Sequence, residues 1–214
     1  MKIFMTHYTP LIERKKFQET QMKKENMEVE YIEAYDREQL TEHMISRFTE
    51  KKKISDISLT LKHIDIYNKL SSCNDIPYAL VLEDDVILKT GFMGYLEHYL
   101  RYLPEDWDML FIGDGCGLHI PINQQIPGQY IYKKSNVYPG STRCADSYVI
   151  NRKCAIQIID RISQPGYEIT HAAADWFLNV ILRDMHANVY WAEPTIATQG
   201  SDPKNNMFKS SIIR

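Results

Sequence analysis

The sequence predicts an α/β domain whose central strands are covered on both faces. Three observations carry that prediction. Tyr78–Leu82 and Asp108–Gly113 are apolar runs of strand length, the composition of strands packed between two helical layers. Strand-like and helix-like segments alternate through the first 112 residues, the pattern of βαβ units. Finally, 214 residues with 44% hydrophobic and 25% charged content suit one domain whose core stands without staples.

Each element has its own justification. Lys2–Thr6 reads as a short strand. Pro10 sits where a first helical turn tolerates it, and Leu11–Asn26 carries Glu, Lys, Gln and Met in helical proportion. Val29–Ala34 alternates like a strand, and Asp36 is placed to cap a helix running through Phe48. Lys51–Lys53 reads as a solvated loop, too short for a nucleic-acid patch. In residues 57–72, Ile57, Leu61 and Ile64 share one helix face while Leu59, His63, Ile66 and Leu70 share the opposite one. A helix apolar on both sides packs between other elements, which makes His63 a core histidine.

Beyond the Tyr78–Leu82 strand, Phe92, Leu96, Tyr99 and Leu103 form one face of a helix that ends at Pro104. Gly113–Gly128 reads as a loop. Tyr130–Lys133 and Arg143–Ile150 read as strands, Lys153–Ile162 and Ala174–Met185 as helices, and Asn188–Ala192 as a last strand. The tail from Pro194 has few apolar anchors and is expected to be a lid or to fray.

Composition excludes several functions. A net charge of −3 argues against nucleic acid as the main partner. Cys73, Cys116, Cys144 and Cys154 lack CxxC spacing, so neither a structural zinc nor a disulfide scaffold is expected. The absence of a leader-like or membrane-spanning stretch leads to the expectation of a soluble cytoplasmic protein, with peripheral membrane contact at most.

Glu83-Asp84-Asp85 directly follows a buried strand, and three adjacent carboxylates there are costly unless something binds them. Extended geometry would put Glu83 and Asp85 on one side and Asp84 on the other. Oxygen-only ligands favour Mg²⁺ or Mn²⁺, and a diphosphate supplies the further ligands such an ion needs. Solvated carboxylates with a helix cap are the other reading.

The stretch YALVLEDDVIL resembles the strand and acidic motif of glycosyltransferase family 25. Other blocks fall in the family's order: Lys2–Thr6 followed by Arg14, Asp56–His63 with Leu61 and His63 in place, Trp107–Phe111, Ala145–Asn151, Asp175 opening an apolar helix, and Glu193–Ser201. The resemblance runs from residue 2 to about residue 201, and order and spacing carry it more than any single motif. It implies a single GT-A domain with a mixed, mainly parallel sheet. It also implies a UDP-sugar donor bound with Mn²⁺ or Mg²⁺, and inverting transfer of galactose, glucose or N-acetylglucosamine. The acceptor would be a hydroxyl of a glycan, or of a lipid-linked or protein-linked conjugate. Residues 1–112 would form the nucleotide-sugar half, 113–193 the acceptor half and 194–214 a tail or lid.

Roles follow from the same resemblance. Asp85 is the first choice for metal ligand, with Glu83 on its strand face and Asp84 at the ribose or a second metal position. Asp175 matches the family's aspartate and is the candidate general base, a helix cap being its alternative. Thr6, His7 and Tyr8 follow the first strand, where base and ribose are held, and Tyr8 either stacks on uracil or is an ordinary surface tyrosine. Arg14 belongs to the same donor region. Lys62 replaces the family's serine and either reaches a phosphate or sits on a solvated face. Asp114, between Gly113 and Gly115, is placed to grip sugar hydroxyls or to form a turn. Arg143 and Asp146 are lesser candidates for hydroxyl binding. No histidine lies beyond His186 to complete a metal site, which leaves Gln199, Asp202 or water.

Two other functions compete. A sugar nucleotidyltransferase shares the acidic ligands but carries a glycine-rich loop after its first strand, and MTHYTPLIERKK has none. A degenerate transferase would only bind a glycan or a partner.

Overall fold

The computed structural model describes residues 1–50, 53–115, 117–134, 140–205 and 207–209. Lys51, Lys52, Cys116 and the Ile212-Ile213 pair lie outside them. The strands are β1 (Lys2–Thr6), β2 (Glu30–Ile32), β3 (Tyr78–Glu83), β4 (Val86–Leu88), β5 (Met109–Phe111), β6 (Ile131–Lys134), β7 (Ser147–Asn151), β8 (Val189–Ala192) and β9 (Ala197–Gln199). The helices are α1 (Ile12–Lys24), α2 (Glu42–Ser46), α3 (Ile54–Ser72), α4 (Phe92–Leu100), α5 (Arg152–Ile162) and α6 (Ala174–Asp184).

Seven strands form one sheet in the order β2-β1-β3-β7-β5-β8-β6. β2, β1, β3, β5 and β8 run one way and β7 and β6 the other, so the sheet is mixed and mostly parallel. The register sets Thr6 beside both Ile32 and Glu83. The loop after β1 therefore opens next to the acidic end of β3.

Strand alternation divides the apolar side chains between two cores. Ala79 and Val81 face α3, α5 and α6, where Ile57, Ile66, Leu70, Ile158, Leu178 and Ile181 are buried. Leu80 and Leu82 face α1 and α4, where Met22, Phe92, Leu96 and Tyr99 close the other side. Each such side chain taken from water contributes about 1.5–3 kcal/mol. α3 is buried on both sides, as its two apolar stripes require.

Three expectations change. The helix expected from Asp36 through Phe48 is split in two. Asp36 and Gln39 form a capping box over a 3-10 turn at Arg37–Gln39, Leu40 is extended, and Thr41 caps α2 afresh. The Arg143–Ile150 strand begins only at Ser147, because Cys144 adopts a φ of 55° that no strand accommodates. Within the described part of the tail an unexpected strand forms: β9 pairs antiparallel with β4 and brings the chain back to the acidic turn. Among the described residues Cys73 and Cys154 are free thiols, and no helix is long and apolar enough to cross a membrane.

Candidate active site

β3 ends at Glu83 and β4 begins at Val86, so Asp84 and Asp85 form the turn between them. α1 clamps that turn with a polar face. Arg14, Gln18 and Gln21 lie on one side of the helix at i, i+4 and i+7. Gln18 Nε2 donates to the carbonyls of Asp84 (3.0 Å) and Val86 (2.8 Å). Gln21 donates to the Val86 carbonyl at 3.1 Å and accepts from the Leu88 N–H at 2.8 Å. This explains why α1 carries no strong apolar stripe.

Asp84 is the hub of the turn. His7 Nδ1 and Arg14 Nη1 each lie 2.8 Å from its oxygens, and the Tyr8 N–H donates at 3.3 Å. Burial alone would push the carboxyl up, but the His7 hydrogen bond and the Arg14 guanidinium outweigh it and hold Asp84 below the usual carboxylate range. With its oxygens so engaged, Asp84 braces the site through His7 and Arg14.

Asp85 and Glu83 are under-compensated. Asp85 Oδ2 accepts from the Ser201 hydroxyl, while Oδ1 is buried with no partner among the described residues. Burial pushes its carboxyl up. Glu83 is pushed well up by burial and then by the charges of Asp85 and Asp146. Its Oε1 lies 3.4 Å from Nε2 of His63, whose Nδ1 meets the Tyr148 hydroxyl at 2.8 Å, and Tyr148 meets Tyr67 at 2.6 Å. His63 is a core histidine as expected: burial lowers its pKa to about 3, so it is neutral and supports Glu83 without a countercharge.

Asp146 lies fully buried in the same acidic group. Burial, followed by Asp85 and Asp114 against the opposing Ser147 hydrogen bond, pushes its carboxyl up to about 7. Gly113 packs so closely on the Asp146 carboxylate and the Ser147 hydroxyl that a Cβ would collide with both.

This donor set suits a hard divalent cation: oxygen atoms, surplus negative charge and an unpartnered Asp85 oxygen. Among the described residues no three His, Cys, Asp or Glu side chains form a metal cage. Asp85, with Glu83 beside it, therefore offers a partial coordination sphere that ligand oxygens would have to complete.

One cavity collects Thr6, His7, Tyr8, Arg14, Lys62, Glu83, Asp84 and Asp85. Lys62 corrects the solvated-face reading. It is buried, and its ammonium bonds the Asp36 carboxylate (2.8 Å) and the Ala34 carbonyl (2.6 Å), with the Ile32 carbonyl at 3.5 Å. Asp36 also accepts from the Thr9 N–H and hydroxyl, so Lys62 ties the β1 and β2 loops together. Tyr8 donates its hydroxyl to Glu38 at 2.7 Å, and the Arg37 guanidinium lies 4.5 Å from its ring.

A second cavity of about 130 Å³ shares Leu59, Glu83 and Gln199 with the first and is lined by Asp175. Asp175 is not the helix cap: Ala173 holds that position without a side-chain bond. Asp175 lies in the first turn, its Oδ1 accepts from the Trp176 N–H at 2.9 Å, and burial pushes the carboxyl up.

Other candidates lie elsewhere. Asp114 lines neither cavity; its N–H bonds the Ala197 carbonyl at 3.1 Å, and its Oδ1 is buried without a partner among the described residues. Arg143 is wholly buried, paired with Glu193 and bonded to the carbonyls of Gly113 and Ala192, so it cannot reach a sugar hydroxyl. Gln199 lines both cavities, whereas Asp202 lines neither and instead accepts from the Lys204 N–H. Sequence reasoning missed Arg37, Ser55, Ser58 and Ser201 on the first cavity. Of these only Ser201, in the Glu193–Ser201 block, offered a signal.

A solved glycosyltransferase involved in glycosylation of the major capsid of PBCV-1 superposes with a TM-score of 0.50 at 9% identity, over 96% of this chain and 97% of that one. Mouse xyloside xylosyltransferase 1 gives 0.47 at 11% identity, over 88% and 83%. A Drosophila β-1,4-galactosyltransferase 7 mutant, solved with manganese, UDP-Gal and xylobiose, gives 0.45 at 13% identity, over 94% and 68%. The fold is that of a GT-A enzyme. The profile of glycosyltransferase family 25, described as LPS biosynthesis protein, matches residues 1–189, and the chain belongs to that family. No curated protein matches the sequence.

Proposed function

We propose that the protein transfers a sugar from a UDP-sugar donor to an acceptor hydroxyl of a glycan or glycoconjugate, with inversion at the anomeric carbon. One observation carries this reading: the cavity holding the acidic turn and the cavity holding Asp175 meet at Glu83, Leu59 and Gln199. That arrangement leaves a donor on one side and a base on the other, as a single displacement needs.

Thr6, His7 and Tyr8 stand at the mouth of β1, beside Arg37, to receive the nucleoside. Arg14 and His7 hold Asp84 rigid, and Asp84 in turn fixes the backbone that aims Asp85. Asp85, with Glu83 beside it, would hold a divalent cation, which when bound would supply positive charge against that of the leaving diphosphate. Asp175 takes the proton of the attacking hydroxyl. Its buried position raises its proton affinity while one oxygen stays oriented by the Trp176 N–H.

The test is a panel of UDP-, GDP- and CMP-sugars assayed for Mn²⁺-dependent hydrolysis and for thermal stabilisation of the protein. The reading expects a UDP-sugar to act in both assays. Failure of every nucleotide sugar in the presence of Mn²⁺ would end it.

A further inference from the structure

Beyond Asp175 the second cavity leads to a third, of about 380 Å³, with which it shares Asp56 and Ala173. Its other walls include Glu50, Lys53, His171 and Trp176. Donor pocket, base and outer cavity therefore form one continuous series.

Trp176 is the feature the core does not explain. α6 buries Ala174, Phe177, Leu178, Ile181 and Leu182, and the indole falls off that stripe with 43% of its surface exposed. The His171 ring lies 5.9 Å away, tilted by 42°, so the two rings make adjoining walls. Asp56 faces both cavities, and burial raises its carboxyl above the ordinary range, with Lys53 opposing and Asp175 and Glu50 adding to the rise.

The geometry points to the outer cavity as the acceptor subsite, in which Trp176 stacks on the apolar face of a neutral sugar ring and Asp56 accepts a hydrogen bond from one of its hydroxyls. This rests on the reading of Asp175 as the base, because the subsite delivers a hydroxyl to that carboxylate. Sugar rings present a C–H face and a rim of donors, which an indole beside a carboxylate complements. Among the described residues the carboxylates Asp56, Glu50 and Asp175 outnumber the nearby cations Lys53 and Arg37, which disfavours an anionic occupant.

The chain has three tryptophans, so its indole N–H groups give three separable NMR signals, and Trp176→Phe assigns the relevant one. The probes are methyl β-galactopyranoside, methyl β-glucopyranoside and methyl N-acetyl-β-glucosaminide, without donor. At least one should shift the Trp176 signal and leave Trp107 and Trp191 unmoved. Asp56→Ala should weaken its Kd by about tenfold, the worth of a hydrogen bond to a charged group. Trp176→Ala, followed at the Ala173 amide, should abolish the shift. The proposal is overturned if none of the three moves the Trp176 signal, or if affinity is unchanged in both variants. UDP with Mn²⁺ is titrated on the same sample: its failure to bind would sink the donor reading alone, since the glycoside shifts need no nucleotide.

Discussion

Asp146→Asn should stabilise the protein, and more so as the pH rises. The Asp146 carboxyl is wholly buried, accepts a 2.8 Å bond from the Ser147 hydroxyl and has its other oxygen unpartnered among the described residues. Its pKa lies at about 7 in the folded chain against an ordinary 3.8. The folded state therefore holds this proton more tightly than the unfolded one. The stability it contributes is complete below pH 3.8 and is lost as the pH climbs to about 7. Between pH 5 and pH 7 the loss is roughly 3 kcal/mol, at about 1.4 kcal/mol for each tenfold change in proton concentration. Asparagine carries no charge at any pH and keeps a carbonyl oxygen for Ser147. The advantage of the variant over the parent should thus grow by roughly 3 kcal/mol from pH 5 to pH 8, or about 6–12 °C in Tm for a chain of this size. Thermal unfolding in EDTA at the two pH values measures it. An advantage equal at both, or a variant less stable at pH 8, would mean that the folded chain does not hold the Asp146 proton more tightly than the unfolded one.

Further outcomes follow from the same geometry. Arg14→Ala leaves the buried Asp84 carboxylate short of its guanidinium and should cost about 3 kcal/mol in urea unfolding, with weaker UDP binding. Gly200→Ala would set a Cβ 2.9 Å from the Asp85 carbonyl and 2.7 Å from the Phe208 ring; a lowered Tm and weakened donor binding are expected together, by thermal shift and calorimetry. Asp175→Asn should keep the fold and the affinity for UDP while transfer falls by about 100-fold or more, which a radiolabelled-sugar assay reads directly.

Much of the frame was legible because it rests on local patterns. The apolar runs of β3 and β5 and the two stripes of α3 read correctly, since burial on both faces writes itself into composition. β4 and β9 escaped notice: each has three residues, and they pair across more than 100 positions, so neither carries a periodic signal. Thr41 was the hidden cause of the split after Asp36, a second cap that restarts the helix.

At the site, the acidic turn and the loop after β1 were visible, but the partners of each side chain were not. Nothing in the local sequence says that Lys62 meets Asp36 or that Asp84 is held by His7 and Arg14, because those contacts exist only once α3 packs beside β2 and β1 lies beside β3. The polar row Arg14, Gln18, Gln21 was the readable clue, since a helix presenting such a face inward must be gripping backbone.

In the proposed reading Asp85 holds a divalent cation against the donor diphosphate. The most direct measurement is the Kd of UDP with and without Mn²⁺, in the parent and in Asp85→Asn. Mn²⁺ should tighten UDP binding in the parent by about tenfold or more, and Asp85→Asn should remove this gain while leaving metal-free binding unchanged. Equal affinity with and without Mn²⁺ in the parent, or a gain that survives in Asp85→Asn, would contradict it.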